Sequence, residues 1–153
     1  MTIDEIIKST SPMAIEKKTI LNIIYTKNII SDKFNEILKP YGISEEQYNV
    51  LRILRGQKGI PCNMCVIQER MLAKTSNTTR LVDKLLLKEL VLRAICNENR
   101  RKMEISITQK GLDLLEKLDS PVKANDEYFS GNLSKDELAA LNQLLEKYRT
   151  LKK

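Results

Sequence analysis

The chain has no histidine among its 153 residues, and this absence removes several functions at the start. Histidine-based catalytic triads, histidine general bases and histidine metal ligands are all excluded. The five glycines are scattered along the chain, so no glycine-rich loop is available to bind phosphate groups. Because no nucleophile–base pair or metal constellation is left, we expect that the protein is not an enzyme and needs no cofactor.

Long hydrophobic runs are also missing. No stretch of about 18 apolar residues occurs, so no transmembrane helix and no membrane partner are expected. The N-terminal residues include acidic side chains early and no apolar stretch, unlike a secretory signal, which favours a cytoplasmic protein. Internal repeats and domain-sized linkers are absent as well. With 42% hydrophobic residues, the sequence predicts one folded domain over residues 1–153.

Positive charge is present but unevenly placed. The net charge is +6, and residues 60–110 carry 10 basic and 5 acidic side chains, whereas residues 111–153 carry 7 and 8. A local positive field of this kind is what phosphate binding requires. A solvated lysine-rich surface has the same composition, so charge alone leaves both interpretations open.

The segment from residue 75 to residue 89 predicts one amphipathic helix. Thr75 or Ser76 is expected to cap it, because a hydroxyl there accepts hydrogen bonds from the free N–H groups of the first turn. The apolar residues recur at helical spacing and form one buried stripe: Leu81, Val82, Leu85 and Leu86. Four short polar side chains stand at the start of the helix: Ser76, Asn77, Thr78 and Thr79. They either serve only to begin the helix or read base edges in a DNA groove. One hydroxyl is enough for capping, so four such residues exceed that need.

A β-hairpin is predicted directly after this helix. Residues 91–96 and 103–107 alternate apolar and polar side chains, and a polar loop joins them. The loop carries three consecutive cations, Arg100, Arg101 and Lys102, which are either a solvated turn or DNA contacts. A helix with a short polar start followed by a basic hairpin tip is what a winged helix-turn-helix requires, with the helix in the major groove and the tip at phosphates or the minor groove.

The remaining chain predicts helices, so the fold class is mainly α with a small β-hairpin wing. A long helix should begin at Pro12, where a proline sacrifices no hydrogen bond, and should run to about Lys39. Capping boxes at Ser44 and Ser134 should open later helices. Pro121 is expected to kink or break the helix that follows the hairpin.

The apolar stripes of the terminal helices are expected to be buried against another surface. The economical arrangement packs the helices of about 12–39 and 109–153 against those of a second chain, which predicts a homodimer. Residues 44–108 are then left as the DNA-binding lobe. Within that lobe, a short helix over Met64–Leu72, a tight turn and the longer helix satisfy the spacing of a helix-turn-helix.

Four short motifs in this order resemble the MarR family of bacterial transcription regulators. They are Thr78-Thr-Arg-Leu-Val-Asp-Lys-Leu85, Leu90-Val-Leu-Arg93, Asn99-Arg100-Arg101 and Ile107-Thr-Gln-Lys-Gly111. The resemblance implies an obligate homodimer on palindromic double-stranded DNA, and a sequence-specific regulator, by analogy a repressor, that a small ligand or an oxidant releases. It also implies that Arg100 or Arg101 enters the minor groove and that the major groove receives Ser76, Asn77, Thr78, Thr79, Arg80 and Lys84.

Two positions depart from the family pattern. Glu89 stands where the family usually has glycine, in a turn that often needs a positive φ, so we expect a differently shaped turn. Asn99 replaces the usual aspartate of the wing, which predicts a looser wing. These departures keep an alternative open, namely a helical dimer that acts as a protein-interaction or redox-sensing module with a vestigial DNA-binding lobe.

Two further sets of residues have competing interpretations. Cys62 and Cys65 form a C-x-x-C pattern that is either a redox pair or two small thiols packed in the core; a structural zinc would lack ligands. A second set is either an effector pocket between the dimer helices and the DNA-binding lobe or plain core: Met13, Tyr25, Phe34, Tyr48 and Met71.

Overall fold

The computed structural model describes residues 1–74, 77–95 and 103–150, which form helices around one small antiparallel sheet. The helices are α1 (Ile3–Ile6), α2 (Ile15–Leu38), α3 (Glu45–Gly56), α4 (Met64–Arg70), α5 (Thr78–Leu87), α6 (Gln109–Ser130) and α7 (Lys135–Arg149). The strands are β1 (Cys62–Asn63), β2 (Val91–Ile95) and β3 (Met103–Ile107), in the sheet order β1-β3-β2. The predicted fold class, mainly α with a β wing, is confirmed.

Most helix ends follow the local capping signals. Ser44 and Ser134 each accept a hydrogen bond from the third residue of their helix, whose side chain binds back to the cap, so both predicted capping boxes are present. Thr108 caps α6 by accepting from the N–H of Gly111. A short 3-10 turn, Lys39–Tyr41, follows α2 and ends at Gly42, whose φ of +64° is available to glycine at little cost.

The first long helix begins later than predicted. Helix α2 starts at Ile15, and its N-cap, Ala14, makes no side-chain capping bond, so Pro12 lies outside the helix. The preceding segment is held instead by a tertiary contact, because Lys18 of α2 pairs with Asp4 of α1.

Pro121 does not break α6, which continues from Gln109 to Ser130. A proline inside a helix removes one hydrogen bond and crowds the preceding turn. Here Leu118 on one side of it is fully buried and Val122 on the other packs against the core, so tertiary packing supports the helix on both sides of the proline. Of the two expected outcomes, a kink or a break, the break is therefore wrong.

One hydrophobic core lies between α3, α5, β3 and α6. Each fully buried aliphatic side chain contributes about 1.5–3 kcal/mol relative to exposure, so the core fixes these elements against one another. Its members include Val50, Leu51, Ile67, Val82, Leu85, Ile105, Leu115 and Leu118. Among the described helices, none combines the length and the apolar character that a bilayer crossing requires.

The last helix stands apart from this core. None of the described residues of α7 is buried, although it carries an apolar stripe. The exposed side chains of that stripe are Leu141, Leu144, Leu145 and Tyr148. Helix α2 also exposes several isoleucines, at more than one side of the helix: Ile15, Ile20, Ile24, Ile29 and Ile30.

Candidate nucleic-acid interface

Helix α5 is fixed by one face and presents the other to solvent. Val82 and Leu85 are fully buried, and Leu81 and Leu86 pack against the same core, as the sequence predicts. The exposed face is polar and largely basic toward the start of the helix, and it comprises Thr79, Arg80, Asp83, Lys84 and Leu87. The predicted contacts Thr79, Arg80 and Lys84 therefore share one accessible surface.

The cap of α5 is Asn77, whose Oδ1 accepts a hydrogen bond of 3.0 Å from the N–H of Arg80. Thr75 and Ser76, which the sequence proposes as caps, lie outside the described residues. Asparagine caps a helix as well as serine or threonine does. The predicted cap, Thr75 or Ser76, is therefore wrong, because α5 begins at Thr78 and its cap is Asn77.

Thr78 is the one residue of the predicted contact set that the described structure buries. Its side chain is 5% exposed, and its hydroxyl donates a hydrogen bond to the carboxamide of Gln68 in α4. Thr78 thus faces the protein rather than the surface that Thr79 and Arg80 share. The helical wheel explains this placement, because Thr78 lies one turn before Val82 on the buried side.

The turn after α5 has the conformation that glycine usually supplies. Glu89 has a φ of +60°, so the expectation of a different turn at this position is wrong. The N–H of Leu90 donates to Leu85 O and that of Glu89 to Leu86 O, which is the hydrogen-bond pattern of a Schellman motif. The burial of Leu90 and these two bonds hold Glu89 in a backbone region that is unfavourable for its side chain.

The wing strands are attached to α5 by an ion pair that the sequence analysis missed. A nitrogen of the Arg93 guanidinium in β2 lies 2.5 Å from Asp83 Oδ1. Both residues lie within the motifs that resemble the MarR family, and those motifs are the only sequence feature that could have pointed to this pair. Strand β3 pairs with β2 along its length, from Val91 opposite Ile107 to Ile95 opposite Met103. The tip of the wing, with Asn99 and the predicted contacts Arg100, Arg101 and Lys102, lies outside the described residues.

The two cysteines of the C-x-x-C pattern occupy different elements. Cys62 lies in β1, a two-residue strand too short to predict from its pattern, which pairs with β3 opposite Ile105. Its thiol is buried, and that burial raises its pKa. Cys65 is exposed in α4, and both thiols are free. A thiol with a raised pKa is a poor nucleophile, so this environment favours the structural interpretation of Cys62.

A cavity of about 310 Å³ lies beside the helix-turn-helix, between α2, α3 and α6. Three of the five residues proposed for an effector pocket line it, namely Phe34, Tyr48 and Met71, whereas Tyr25 and Met13 do not. The rings of Phe34 and Tyr48 meet edge to face at 5.1 Å, and burial raises the pKa of Tyr48. Arg52 is the one basic residue among those lining the cavity, and its guanidinium lies 6.0 Å from the centre of the Tyr48 ring.

Comparisons with known proteins agree with this architecture. Residues 43–103 match the sequence model described as "MarR family". The chain is 33% identical to a MarR transcription factor from Planctomyces limnophilus, covering 89% of this chain and 98% of that one with a TM-score of 0.68. It is 27% identical over 118 residues to the HTH-type transcriptional regulator MhqR of Bacillus subtilis, covering 77% of this chain and 80% of that protein.

A third comparison shows the fold at lower identity. The BpsR protein of Bordetella bronchiseptica, whose structure is described as explaining regulation of DNA binding by 6-hydroxynicotinic acid, is 18% identical, with a TM-score of 0.79. That likeness covers 93% of this chain and 100% of the other. Since the Planctomyces relative is matched along nearly all of its length at 33% identity, this chain belongs to the MarR family, and it is a transcription regulator that binds DNA.

Proposed function

We propose that the protein is a homodimeric, sequence-specific repressor that occupies palindromic operator DNA and is released when a small molecule binds. The observation that carries this proposal is the orientation of α5. Its apolar side is locked into the core through Val82 and Leu85, so the exposed face with Arg80 and Lys84 is held rigidly toward solvent. A rigid, basic helix face is what entry into a major groove requires.

The exposure of α5 residues supports four of the proposed DNA contacts. Asn77, Thr79, Arg80 and Lys84 form the proposed major-groove contacts, because all four are exposed at α5. Thr78 is left out of the set because it is buried. Ser76, together with the wing contacts Arg100, Arg101 and Lys102, stays a prediction from the sequence.

The experiment that tests the proposal separates specific contacts from bulk charge. A duplex is selected from a random library with the wild-type protein, and its affinity is measured against salt concentration for Arg80→Ala and Lys84→Ala. We expect the slope of log K against log salt to fall by about 0.9 for each phosphate contact that is lost. If the side chain contacts a base edge, we also expect the variant to lose sequence preference, because a good base contact discriminates against the wrong base by about 1–3 kcal/mol.

The matched control is Lys117→Ala, which removes the same charge from an exposed position on α6. It should leave both the slope and the preference unchanged. The proposal fails if the wild type selects no duplex, or if the α5 variants behave as this control does.

The cavity beside the helix-turn-helix is the proposed effector site. Residues that follow α4, Met71, Leu72 and Ala73, form part of its wall, so an occupant would contact the connection between α4 and α5. Its aromatic pair and Arg52 suit a planar aromatic compound with a polar substituent, and three carboxylates, Glu45, Glu46 and Asp126, also line the cavity. The probe is 6-hydroxynicotinic acid, by analogy with the structural neighbour whose DNA binding that compound regulates.

Binding of the probe should raise the midpoint of thermal unfolding and weaken binding of the selected duplex. At a concentration of 100 times its Kd, a ligand stabilises the folded state by about 2.7 kcal/mol. Val122→Phe places a ring at the cavity wall and should abolish both responses. If this variant responds as the wild type does, the effector binds elsewhere. If the wild type itself does not respond, the protein does not recognise this class of ligand.

A further inference from the structure

One carboxamide holds both sides of the connection between α4 and α5. Gln68 Nε2 donates a hydrogen bond of 2.8 Å to the carbonyl oxygen of Lys74, at the end of the first described segment. Gln68 Oε1 accepts a hydrogen bond from the hydroxyl of Thr78, the first residue of α5. Gln68, which lies in α4, thus ties the end of this connection to the start of α5.

The orientation of this carboxamide follows from its partners. A backbone carbonyl can only accept, so the NH₂ group of Gln68 must face Lys74 and the oxygen must face Thr78. The Thr78 hydroxyl then has to donate, and no other rotamer of the amide satisfies both partners. The two hydrogen-bond partners therefore determine which end of the Gln68 amide is the nitrogen and which is the oxygen.

Burial makes the bond to Thr78 hard to replace. The side chain of Thr78 is 5% exposed, so water cannot take over the role of Gln68 without a rearrangement of the helix start. Leaving a buried hydroxyl without a partner carries the desolvation cost of that group. A second amide acts in the same region, since Asn49 Oδ1 in α3 accepts from the N–H of Leu72 at 2.9 Å. Unlike the Asn49 bond, the Gln68 bond reaches α5.

We propose that Gln68 is a positioning residue for DNA recognition, which acts through Thr78 to set the position of the first turn of α5. The residues proposed to read DNA, Asn77, Thr79 and Arg80, belong to or border that turn. A small shift of the turn would misplace base contacts, which need a defined geometry, more than phosphate contacts, which do not. The inference rests on the proposed function of α5 as the DNA-reading helix, and it explains why a polar residue at the helix start is buried.

The test compares Thr78→Val, which keeps the shape of the side chain and removes the hydroxyl, with Thr78→Ser, which keeps the hydroxyl. The first readout is amide hydrogen exchange of α5 in the free protein. We expect exchange in the first turn of α5 to accelerate about tenfold in Thr78→Val, as the loss of one buried hydrogen-bond partner predicts, and to stay at the wild-type rate in Thr78→Ser.

The second readout is DNA affinity. Thr78→Val should lower the affinity for the selected duplex about tenfold, which is the size expected for one misplaced base contact. Its affinity for a random-sequence duplex and its salt slope should remain within about twofold of the wild type, because the phosphate contacts are retained. Thr78→Ser should restore specific binding.

A second substitution isolates the two bonds of the carboxamide. Gln68→Glu can still accept from Thr78 but cannot donate to Lys74, so its hydrogen exchange should lie between those of the wild type and Thr78→Val. Gln68→Met has a similar length but neither donates nor accepts as the amide does, so it provides the exchange test if Thr78→Val does not fold.

The proposal is overturned if α5 exchanges at the wild-type rate in Thr78→Val and Gln68→Glu, or if Thr78→Ser is as impaired as Thr78→Val. Equal losses for the selected and the random duplex would overturn it as well. If the wild type prefers no duplex, the proposed function fails, whereas the exchange rates of α5 still decide whether Gln68 positions the helix.

Discussion

Glu89 is a charged residue in a backbone conformation that favours glycine. Its φ of +60° places its Cβ in a crowded region, and this costs of order 1 kcal/mol for a residue other than glycine. The side chain gives little in return, because its ion pair with Lys110 at 3.1 Å is exposed on both sides. The conformation persists because the Schellman hydrogen bonds and buried Leu90 require it.

Glu89→Gly is therefore predicted to stabilise the protein. The free energy of unfolding should rise by about 0.5–1 kcal/mol, the relief of strain being partly offset by the greater freedom of glycine in the unfolded chain. Urea denaturation at a fixed protein concentration measures the change. Glu89→Ala is the control, because it removes the same ion pair but keeps the Cβ, and it should bring no stabilisation. A glycine variant that is no more stable than the alanine variant would show that the turn is unstrained.

Gly111 illustrates a glycine that the packing requires at the same junction. A Cβ at this position would lie 2.4 Å from the carbonyl oxygen of Leu90 and 2.7 Å from Cγ1 of Ile107. The backbone of α6 thus approaches the end of the α5 turn as closely as glycine permits. The sequence motif shows that a glycine stands there, but only the tertiary arrangement shows which atoms exclude a larger residue.

At the scale of elements, an ion pair fastens the DNA-binding lobe to α6. The guanidinium of Arg55 in α3 makes two parallel hydrogen bonds with the Asp119 carboxylate, at 2.8 and 2.9 Å. The bonds to Arg55 hold the pKa of Asp119 below its usual value, and Asp119 raises the pKa of Arg55. Two-point geometry of this kind fixes orientation as well as distance.

The contribution of this pair should depend on pH. A carboxyl whose pKa is lowered on folding adds stability above its unfolded pKa, about 3.9, and this stability is lost as the pH falls through the folded pKa. At pH 7 we expect Asp119→Asn to cost about 0.5–1 kcal/mol, because the pair is partly exposed. The difference from the wild type should shrink toward zero as the pH falls from 5 to below 3.

Unfolding curves of the two proteins at matched pH values measure this trend. Glu116→Gln, one turn earlier on α6 and exposed, is the control for the loss of an acidic charge, and it should show no comparable pH dependence. A stability difference for Asp119→Asn that stays constant down to pH 3 would mean that the ion pair does not stabilise the fold.

The elements also show which structural features a sequence can predict. Capping boxes at Ser44 and Ser134 are local signals, and the structure confirms both. Pro12 and Pro121 are local signals too, but α2 begins only at Ile15, and α6 continues through Pro121, where its neighbours pack against the core. The chemistry of the α5 start was predicted by residue type, and the spacing to Val82 places Thr78 on the buried side, whereas its hydrogen-bond partner Gln68 lies ten positions away and was not predicted. Non-local contacts of this kind do not follow from local signals.

At the scale of the whole molecule, the apolar surface of the terminal helices needs a partner. Helix α7 buries none of its described residues, and Leu144 on it is 63% exposed. The exposed apolar stripe of α7 and the exposed isoleucines of α2 are consistent with the predicted division into dimerisation helices, about 12–39 and 109–153, and a DNA-binding lobe, about 44–108. We propose that the second copy of the chain covers the α7 stripe and the α2 isoleucines beside it, because exposed apolar patches mark interaction surfaces.

Leu144→Lys is predicted to dissociate the dimer. A lysine ammonium at a buried interface loses its hydration without gaining a partner, so the equilibrium should shift by several kcal/mol toward monomers. Gln143→Lys introduces the same charge on the adjacent exposed position outside the apolar stripe and should leave the dimer intact. Sedimentation equilibrium over a range of protein concentrations measures both.

Monomeric Leu144→Lys should also lose affinity for a two-half-site duplex far more than for a single half-site, because only a dimer engages both. A wild-type protein that sediments as a monomer at micromolar concentration, or a Leu144→Lys dimer as tight as the control, would contradict an interface built from α7.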